Sequence, residues 1–249
     1  ISGEIIVWQD KNNGKWSIFA LNLTSGVIFP VSVSGSRNTA PRISGDRVVF
    51  VDETSGNPDI RMVNISTGRE SMICAAPDVQ WQPAIDGDWI VWEDWRDGAA
   101  SRGDIIGYHV PSGREMKISD SLPGRADWFP DISSGWVVWQ SDQQGNFDIF
   151  AKNLTTDESV QVTTDPARQW LPKISGTDIV WMDERNGMWD IYGFNLTTRQ
   201  ERAVTCSTDQ DAWPDISGGI VVYVQYCKHE RIEIKTVDLT LMNTTGMNN

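Results

Sequence analysis

Acidic side chains recur in pairs along the chain and are the first candidates for chemistry. In residues 181–198, WMDERNGMWDIYGFNLTT, Asp183 and Asp190 stand on either side of a glycine. Such a pair could ligate Ca²⁺, which takes oxygen ligands in flexible geometry. The spacing lacks the alternating ligand ladder of a known calcium loop, and short aspartate side chains often bond to nearby backbone N–H groups, so we predict loop braces with Ca²⁺ as the alternative. The same two positions recur as Asp10, Asp52 and Asp94, and as Asp59, Asp104 and Asp148.

Other residues give little support for catalysis. Arg96 and Arg185 each follow the first aspartate by two residues, and we expect them to pair with carboxylates on an adjacent loop and to orient it. The two histidines, His109 and His229, lie far apart in the sequence, and no nucleophile-elbow motif is present. We therefore predict a protein that is not an enzyme and that needs no cofactor, with a hydrolase or lyase as the less favoured alternative.

A set of tryptophans forms the second candidate site. Each precedes a proline by one or two residues, and polar side chains stand beside them. Aromatic faces next to carboxylates or amides suit sugar binding, because the ring stacks on C–H groups while the polar groups take the hydroxyls. Packing between repeated units is the alternative, since a repeated aromatic residue usually fills the same hole in each unit. The set is Trp81, Trp128, Trp170 and Trp213, with Asp127 and Asp211.

One sequence unit that occurs six times must position all these residues. It begins ISGEIIVW at Ile1, and the later copies begin at Ile43, Ile85, Ile132, Ile174 and Ile216. A period of about 40 to 45 residues with four short strands is typical of a propeller blade. In each unit a segment ending in proline predicts the inner strand, an apolar run such as IVW the second, a DIYGFNL-like segment the third and a polar segment the outer strand. We predict one all-β, six-bladed propeller over residues 1–249, with the tryptophans at the mouth of its central channel.

The two ends of the chain depart from this pattern. Ile1 starts at the turn into the second strand, so the first blade lacks an inner strand of its own. After Asp238 only LTLMNTTGMNN is available for a weak outer strand of the last blade. An unpaired strand edge recruits a partner, so an inner strand exchanged between subunits is one way to complete the ring. An upstream segment, the tail or a loosely closed ring are the alternatives.

The repeated pattern W-x-D-x-R-x-G-x-x-D-I-Y, followed by N-L-T-T and W-x-P-x-I-S-G, resembles the TolB-like propeller repeat. It is most similar to the variant found in tandem in archaeal, notably methanogen, cell-surface and surface-layer proteins. The resemblance covers nearly the whole chain and implies the propeller fold and a cell-surface role. The Ser-Pro-Asp-Gly of TolB itself appears here as Ile-Ser-Gly, which argues against a periplasmic TolB. A TolB-like oligogalacturonate lyase would need clustered histidine ligands, which two histidines do not supply.

Cysteines and glycosylation sequons indicate an oxidising compartment. The topology places Cys206 and Cys227 on the same side of adjacent blades, which predicts a disulfide and leaves Cys74 as a buried thiol. Asn-x-Ser/Thr sequons recur at one turn of four blades and once more in the tail. Such turns favour asparagine in any case, yet an exposed series of acceptors also suits a secreted glycoprotein. The sequons begin at Asn22, Asn64, Asn153, Asn195 and Asn243.

The composition of the chain limits the classes of partner that it can bind. Lys plus Arg number 21 and Asp plus Glu number 34, a net charge of −13 that repels nucleic acid. The longest apolar runs are of strand length, so we expect no membrane span, and a start at Ile1 without Met fits a secreted chain whose signal peptide has been removed. We predict an extracellular propeller that binds proteins or assembles with itself in an envelope layer or filament and carries N-linked glycans. A lectin-like propeller is the alternative.

Overall fold

The computed structural model describes residues 1–12, 14–32, 37–97, 102–119, 122–227 and 231–242. They form an all-β, six-bladed propeller with one antiparallel sheet for each sequence repeat. The predicted fold class is therefore confirmed. The blades are numbered one to six in chain order.

The first three blades contain strands β1 to β11. Blade one holds β1 (Ile5–Asn12), β2 (Lys15–Asn22) and β3 (Ile28–Pro30). Blade two holds β4 (Asn38–Ser44), β5 (Arg47–Asp52), β6 (Asp59–Asn64) and β7 (Arg69–Cys74). Blade three holds β8 (Gln80–Asp86), β9 (Trp89–Asp94), β10 (Asp104–His109) and β11 (Arg114–Lys117).

The last three blades contain strands β12 to β22. Blade four holds β12 (Asp127–Ser133), β13 (Trp136–Ser141), β14 (Asp148–Asn153) and β15 (Ser159–Gln161). Blade five holds β16 (Gln169–Ser175), β17 (Asp178–Asp183), β18 (Asp190–Asn195) and β19 (Gln200–Ala203). Blade six holds β20 (Gln210–Ser217), β21 (Ile220–Cys227) and β22 (Arg231–Asp238).

The second strand of each repeat is buried on both faces in the middle blades. All six residues of β13 are buried, as are five of the six in β17. Residues on opposite faces of a strand alternate, so both kinds of position must be apolar when each face packs against a sheet. This explains why the repeated IVW and VVW segments do not alternate between apolar and polar residues, as the sequence predicts.

The chain forms two compact units, Ile1–Pro130 and Asp131–Asn249, whose boundary lies within β12. In the first unit Val49 and Ile60 of blade two pack with Ile90 and Trp92 of blade three. Separate clusters in the second unit join blade four to blade five and blade five to blade six. Organisation as one domain stays a prediction.

Turns between the first two strands of each blade are linked from blade to blade. The glycine of each Ile-Ser-Gly turn has a positive φ, 58° at Gly45 and 61° at Gly176, which glycine adopts without steric cost. In four blades the backbone N–H of the turn glycine donates to the serine hydroxyl of the preceding blade's turn. These bonds run from Gly45 to Ser2 (2.9 Å), Gly87 to Ser44 (3.0 Å), Gly176 to Ser133 (3.0 Å) and Gly218 to Ser175 (3.1 Å).

Inner strands share a backbone irregularity. The residue before the proline has a positive φ although it is not glycine, and the pairing register shifts around it in four blades. Such bulges bend a strand and redirect its side chains. The residues with this conformation are Ala40, Gln82, Phe129, Leu171 and Trp213.

Both end blades have three strands among the described residues. In blade one, β1 occupies the place of the second strand of the other blades, as predicted. We predicted a weak outer strand of blade six after Asp238. This is wrong for the described residues of that segment, because Leu239–Met242 forms one helical turn. Asp238 favours this turn by accepting the backbone N–H of Thr240 at 2.8 Å. No helix in the described ranges is long and apolar enough to cross a membrane.

Candidate functional site

Asp183 is a structural brace in the described geometry. Its fully buried carboxylate accepts hydrogen bonds from the backbone N (3.0 Å), Nε (2.8 Å) and Nη2 (2.7 Å) of Arg185. Trp181 Nε1 donates a further bond at 2.9 Å. Arg185 Nη1 then reaches Glu201 on the outer strand at 2.6 Å. Four N–H donors thus contact the carboxylate of Asp183.

Blade three repeats this arrangement. Asp94 accepts bonds from Trp92 Nε1 at 2.8 Å and from Arg96 Nε at 2.8 Å, and Arg96 Nη1 donates to Glu115 at 2.9 Å. We expected Arg96 and Arg185 to pair with carboxylates on an adjacent loop. Each instead clamps the aspartate two residues before it to the outer strand of its own blade, and Arg185 Nε in addition lies 3.9 Å from Asp165 on the loop that leads into blade five. Hydrogen bonding to Asp94 and Asp183 raises the pKa of both arginines. The Cys74 thiol lies 3.2 Å from Arg96 Nη2 and is buried, and burial raises its pKa to about 12.

Aspartates at the start of the third strand are buried as well. Asp190 accepts a bond from Asn186 Nδ2 at 2.9 Å, and burial raises its pKa. Asp148 accepts one from Thr163 Oγ1 at 3.0 Å, and its pKa is raised for the same reason. The described residues contain no group of three or more His, Cys, Asp or Glu side chains that could hold a metal ion. Calcium binding at Asp183 and Asp190 stays a prediction, whereas the bracing contacts are present.

The residues of the predicted sugar site differ in how deeply they are buried. The tryptophans Trp81, Trp128 and Trp170 are half-buried and Trp213 is exposed, whereas Asp127 and Asp211 are fully buried. Asp211 instead accepts bonds from Gln225 Nε2 at 2.9 Å and Ser207 Oγ at 3.1 Å. Both carboxylates are shielded from solvent, against our expectation that they face a ligand.

The four tryptophans have different surroundings. Trp170 packs against Phe147 and Trp189, with ring centroids 5.6 and 6.3 Å apart, as a packing role requires. Trp128 lies parallel to Trp95, with an interplanar angle of 1° and centroids 6.4 Å apart. Trp81 packs against the core of the first unit. The tryptophans at this repeated position therefore do not make the same contacts in each blade.

A residue that the sequence analysis overlooked connects blades three and four within the first unit. Glu93 is buried, and its Oε1 accepts the backbone N–H of Phe129 at 2.7 Å. Gln9 and Gln140 make the same contact, with Ala40 N at 2.7 Å and Leu171 N at 2.9 Å. Burial raises the pKa of Glu93 to about 7. The detectable signal was a Gln or Glu at the same place in three repeats.

Among the described residues, the histidine and cysteine side chains do not come together in one site. His109 Nδ1 lies 2.9 Å from Ser112 Oγ, and its ring packs against Trp89. His229 lies outside the described residues. Cys206 and Cys227 are free thiols in the structure, so the predicted disulfide is not formed there. The Cys227 thiol instead contacts Gln225 Oε1 at 3.7 Å.

Four sequon asparagines close the turn between the third and outer strands, as predicted. The Oδ1 of Asn195 accepts the backbone N–H groups of Thr197 (3.0 Å) and Thr198 (2.9 Å), and its Nδ2 donates to Asp178 at 2.9 Å. Asn64 uses its Nδ2 in the same way, towards Asp46 at 2.7 Å. The Oδ1 atoms of Asn22 and Asn153 also accept backbone N–H groups in their turns. The recurrence of asparagine thus has a structural cause, and Asn243 lies outside the described residues.

One face of blade six is apolar and exposed, unlike its counterparts. A valine occurs at the same place in all six repeats, and Val180 of blade five is completely buried against Val221 and Tyr223 of blade six. The corresponding Val222 is 38% exposed. On the neighbouring third strand Ile191 is fully buried, whereas its structural counterpart Ile234 is 76% exposed. The exposed large side chains of this surface, here called the blade-six face, are Trp213, Ile220, Val222, Tyr226, Ile232 and Ile234.

Comparisons with known proteins establish the fold. No protein-family model and no curated protein matches the sequence. TolB from Acinetobacter baumannii is similar with a TM-score of 0.68 at 14% identity, over 95% of this chain and 61% of that one. A puromycin-hydrolyzing peptidase from Mycobacterium tuberculosis has a TM-score of 0.71 at 14% identity, over 94% of this chain and 42% of that one. A chain of a nidogen/laminin complex has a TM-score of 0.61 at 12% identity, over 95% and 90%.

These similarities show a TolB-like β-propeller. The chain spans less than two thirds of the TolB chain and less than half of the peptidase chain. Similar structures include an oligogalacturonate lyase in complex with manganese as well as TolB, so the fold is shared by proteins of different activity. The narrower resemblance to archaeal surface proteins stays a prediction.

Proposed function

We propose that this protein is a non-enzymatic, extracellular propeller that acts by binding other proteins through the blade-six face. The observation that carries the proposal is the exposure of Val222 and Ile234, whose counterparts Val180 and Ile191 are fully buried. Contiguous exposed apolar surface on a folded protein commonly marks an interaction site. Trp213 and Tyr226, joined by a 3.2 Å hydrogen bond, add the aromatic side chains that are enriched in protein interfaces.

The narrower proposal is a subunit of an envelope layer or filament. The repeat resembles archaeal surface-layer propellers, and the four described sequon turns lie at the ends of third strands, where N-linked glycans could be attached. Asn22 and Asn153 are the better acceptors, since Asn64 and Asn195 already use Nδ2 as a donor to an aspartate. A net charge of −13 further favours protein partners over nucleic acid.

The test is a photo-crosslinking experiment on the cells that make the protein. A photoreactive amino acid replaces Ile234, and a matched control chain carries it at Ser159, which is exposed on the outer strand of blade four. We expect the first chain to crosslink to a protein at the cell surface and the control chain not to do so. Equal labelling from both positions, or a chain confined to the cytoplasm, would contradict the proposed function.

Sugar binding is a second candidate function, favoured by one observation. The parallel indoles of Trp95 and Trp128 are both half-buried, and Arg102 lies 5.8 Å from the centroid of the Trp128 ring. Aromatic side chains of this kind stack on the C–H faces of sugars. Titration with mono- and oligosaccharides while tryptophan fluorescence is recorded tests it. A response in the wild type that the Trp128→Ala variant loses and the Trp170→Ala variant keeps would support it.

A further inference from the structure

The junction between blades three and four departs from the pattern of the repeat. Asp94 and Asp104 are ten positions apart, whereas Asp183 and Asp190, which pair in the same way in blade five, are seven apart. The connection from β11 to β12 is also longer than the corresponding connections that follow β15 and β19. Insertions into single repeats map to loops on one face, and this is often the binding face. Both longer connections meet at this one junction.

Glycine takes the place of an aromatic residue at this junction. In blade four, Phe147 precedes the third strand, and its carbonyl accepts the first backbone N–H of the next inner strand at 2.8 Å. The Gly103 carbonyl accepts the equivalent bond from Asp127 at 3.1 Å. Phe147 packs against Trp170, with ring centroids 5.6 Å apart, whereas Gly103 offers no ring to Trp128. The space beside Trp128 is therefore open to a different neighbour.

That neighbour, Trp95, occurs in one blade only. It stands ten positions after the first isoleucine of its repeat. The other five repeats have Lys11, Glu53, Asp142, Glu184 and Tyr226 at this position. A Cβ atom at Gly103 would lie 3.0 Å from Trp95 Nε1 and 3.3 Å from Trp128 Nε1, so a glycine is needed where the two indoles meet. A residue that packs repeated units together fills the same hole in each unit, and Trp95 does not.

Hydrogen bonds hold the two indoles in place within the unit Ile1–Pro130. Glu93 accepts the backbone N–H of Phe129, the neighbour of Trp128, at 2.7 Å, and the Trp95 indole N–H beside this carboxyl group opposes the effect of burial by lowering its pKa. Trp128 Nε1 donates to the Arg102 carbonyl at 2.8 Å. Both rings are half-buried, so each keeps some surface open to solvent. Side chains that are ordered before a ligand arrives lose less entropy when it binds.

The chemistry of this pair favours an uncharged sugar. Indole faces stack on the C–H faces of pyranose rings. The guanidinium of Arg102 lies 5.8 Å from the centroid of the Trp128 ring, where its N–H groups are suitable donors to sugar hydroxyls. A net charge of −13 repels anionic polysaccharides at long range. An uncharged oligosaccharide meets no such repulsion.

We propose that Trp95 and Trp128 bind an uncharged pyranose ring of an oligosaccharide, with the ring stacked on an indole and Arg102 donating to its hydroxyls. This inference rests on the second candidate function, sugar binding, and names the class of ligand and the residues of the site. The site is separate from the blade-six face, so protein binding there holds or fails independently. Because the ligand carries no charge, its affinity should not change with salt concentration.

The test combines a glycan array with isothermal titration calorimetry on the full chain. The array carries neutral and acidic glycans, and the titrations use cellohexaose, maltohexaose and laminarihexaose, with hexagalacturonate as the acidic counterpart. Trp95→Ala and Trp128→Ala should each weaken binding of the neutral sugar by more than about tenfold, as expected of aromatic residues at the centre of a site. Trp213→Ala removes an exposed tryptophan of blade six and is the control, which should bind like the wild type.

Three results would overturn the proposal. They are wild-type affinity in Trp95→Ala, preference for acidic over neutral glycans, and no binding of any neutral glycan by the folded wild type. If Trp95→Ala does not fold, Trp95→Lys replaces it, because blade one has Lys11 at this position, and unchanged binding by that variant also counts against the proposal. A failed crosslink from Ile234 would contradict protein binding through the blade-six face and leave the sugar site standing.

Discussion

Asp183 and Arg185 show how residues that could do chemistry serve stability instead. The carboxylate is completely buried, and the guanidinium binds it through two nitrogens while its third nitrogen reaches Glu201. A buried carboxylate without its partner is strongly destabilising, because the charge can no longer be compensated. The pair therefore fixes the loop between the second and third strands of blade five.

Replacing Arg185 with alanine should lower the free energy of unfolding by about 3–5 kcal/mol, because Asp183 is left charged and buried. Urea denaturation measures the change. Arg168→Ala is the matched control: Arg168 pairs with Glu184 on the surface, so its loss should cost only about 0–1 kcal/mol. Adding Asp183→Asn to Arg185→Ala should recover part of the loss. A similar cost for both arginines would contradict the bracing role.

Glu93 makes stability depend on pH in a predictable direction. Burial raises its pKa from 4.5 to about 7, so the folded state holds a proton that the unfolded state releases at lower pH. Stability therefore falls as the pH rises from about 4.5 to about 7 and is constant above that range, by on the order of 3 kcal/mol at about 1.4 kcal/mol per pKa unit. Glutamine accepts the same backbone N–H in blades one and four without a charge.

The Glu93→Gln variant should lose less stability than the wild type over this pH range. Chemical denaturation at pH 4.5, 6 and 8 measures the difference between the two proteins, in which the other titrating groups cancel. Parallel pH profiles for wild type and variant would show that Glu93 is not the group responsible.

At the scale of strands and turns, the inner-strand bulge places non-glycine residues in a left-handed conformation. Ala40 has a φ of 52°, whereas the buried Ala84, two residues past the bulge of the next inner strand, is not among the positive-φ residues. A left-handed conformation costs an L-residue roughly 1–2 kcal/mol. Ala40→Gly should therefore stabilise the protein by about 1 kcal/mol, whereas Ala84→Gly should destabilise it by a similar amount. Thermal unfolding of both variants measures these changes. A loss of stability in both variants would contradict backbone strain at Ala40.

The turn-to-turn hydrogen bonds can be tested with a pair of serines. Ser175→Ala removes the acceptor for the Gly218 N–H and should cost about 1 kcal/mol of unfolding free energy. Ser217, at the same place in blade six, is exposed, so Ser217→Ala should leave the stability of the dilute chain unchanged. Equal losses in the two variants would mean that the bond between blades is not what Ser175 contributes.

The period of the repeat was enough to predict the strands. It did not predict which side chains contact one another. The six repeated turns, four of them Ile-Ser-Gly, and the apolar runs after them correctly predicted the sheets, their strand order and the shortened first blade. Arg96 was assigned the wrong partner because its distance from Asp94 in sequence does not show which way a long side chain turns. Asp127 and Asp211 were expected to face a ligand, yet both are completely buried, and the residue types beside them in sequence do not show how far a side chain is shielded. Leu239–Met242 became a helical turn, since four residues after a capping aspartate suffice for one.

For the whole molecule, the six repeats create the fold and one of them presents an exposed apolar surface. Within each unit a blade buries one face under the next, whereas the blade-six face is exposed. The sequence contained this signal, because the valine and the aromatic residue after it recur in all six units. The repeat pattern alone does not show that Val222 is exposed while Val180 is buried.

The most direct test of a propeller that assembles through the blade-six face is the mass of the purified chain as a function of concentration. Light scattering between about 1 and 100 µM covers the affinities expected of a contact between two such faces. We predict a mass that rises with concentration above that of one chain and stays at one chain for Val222→Asp. A constant mass of one chain for the wild type, at every concentration and salt, would contradict the account.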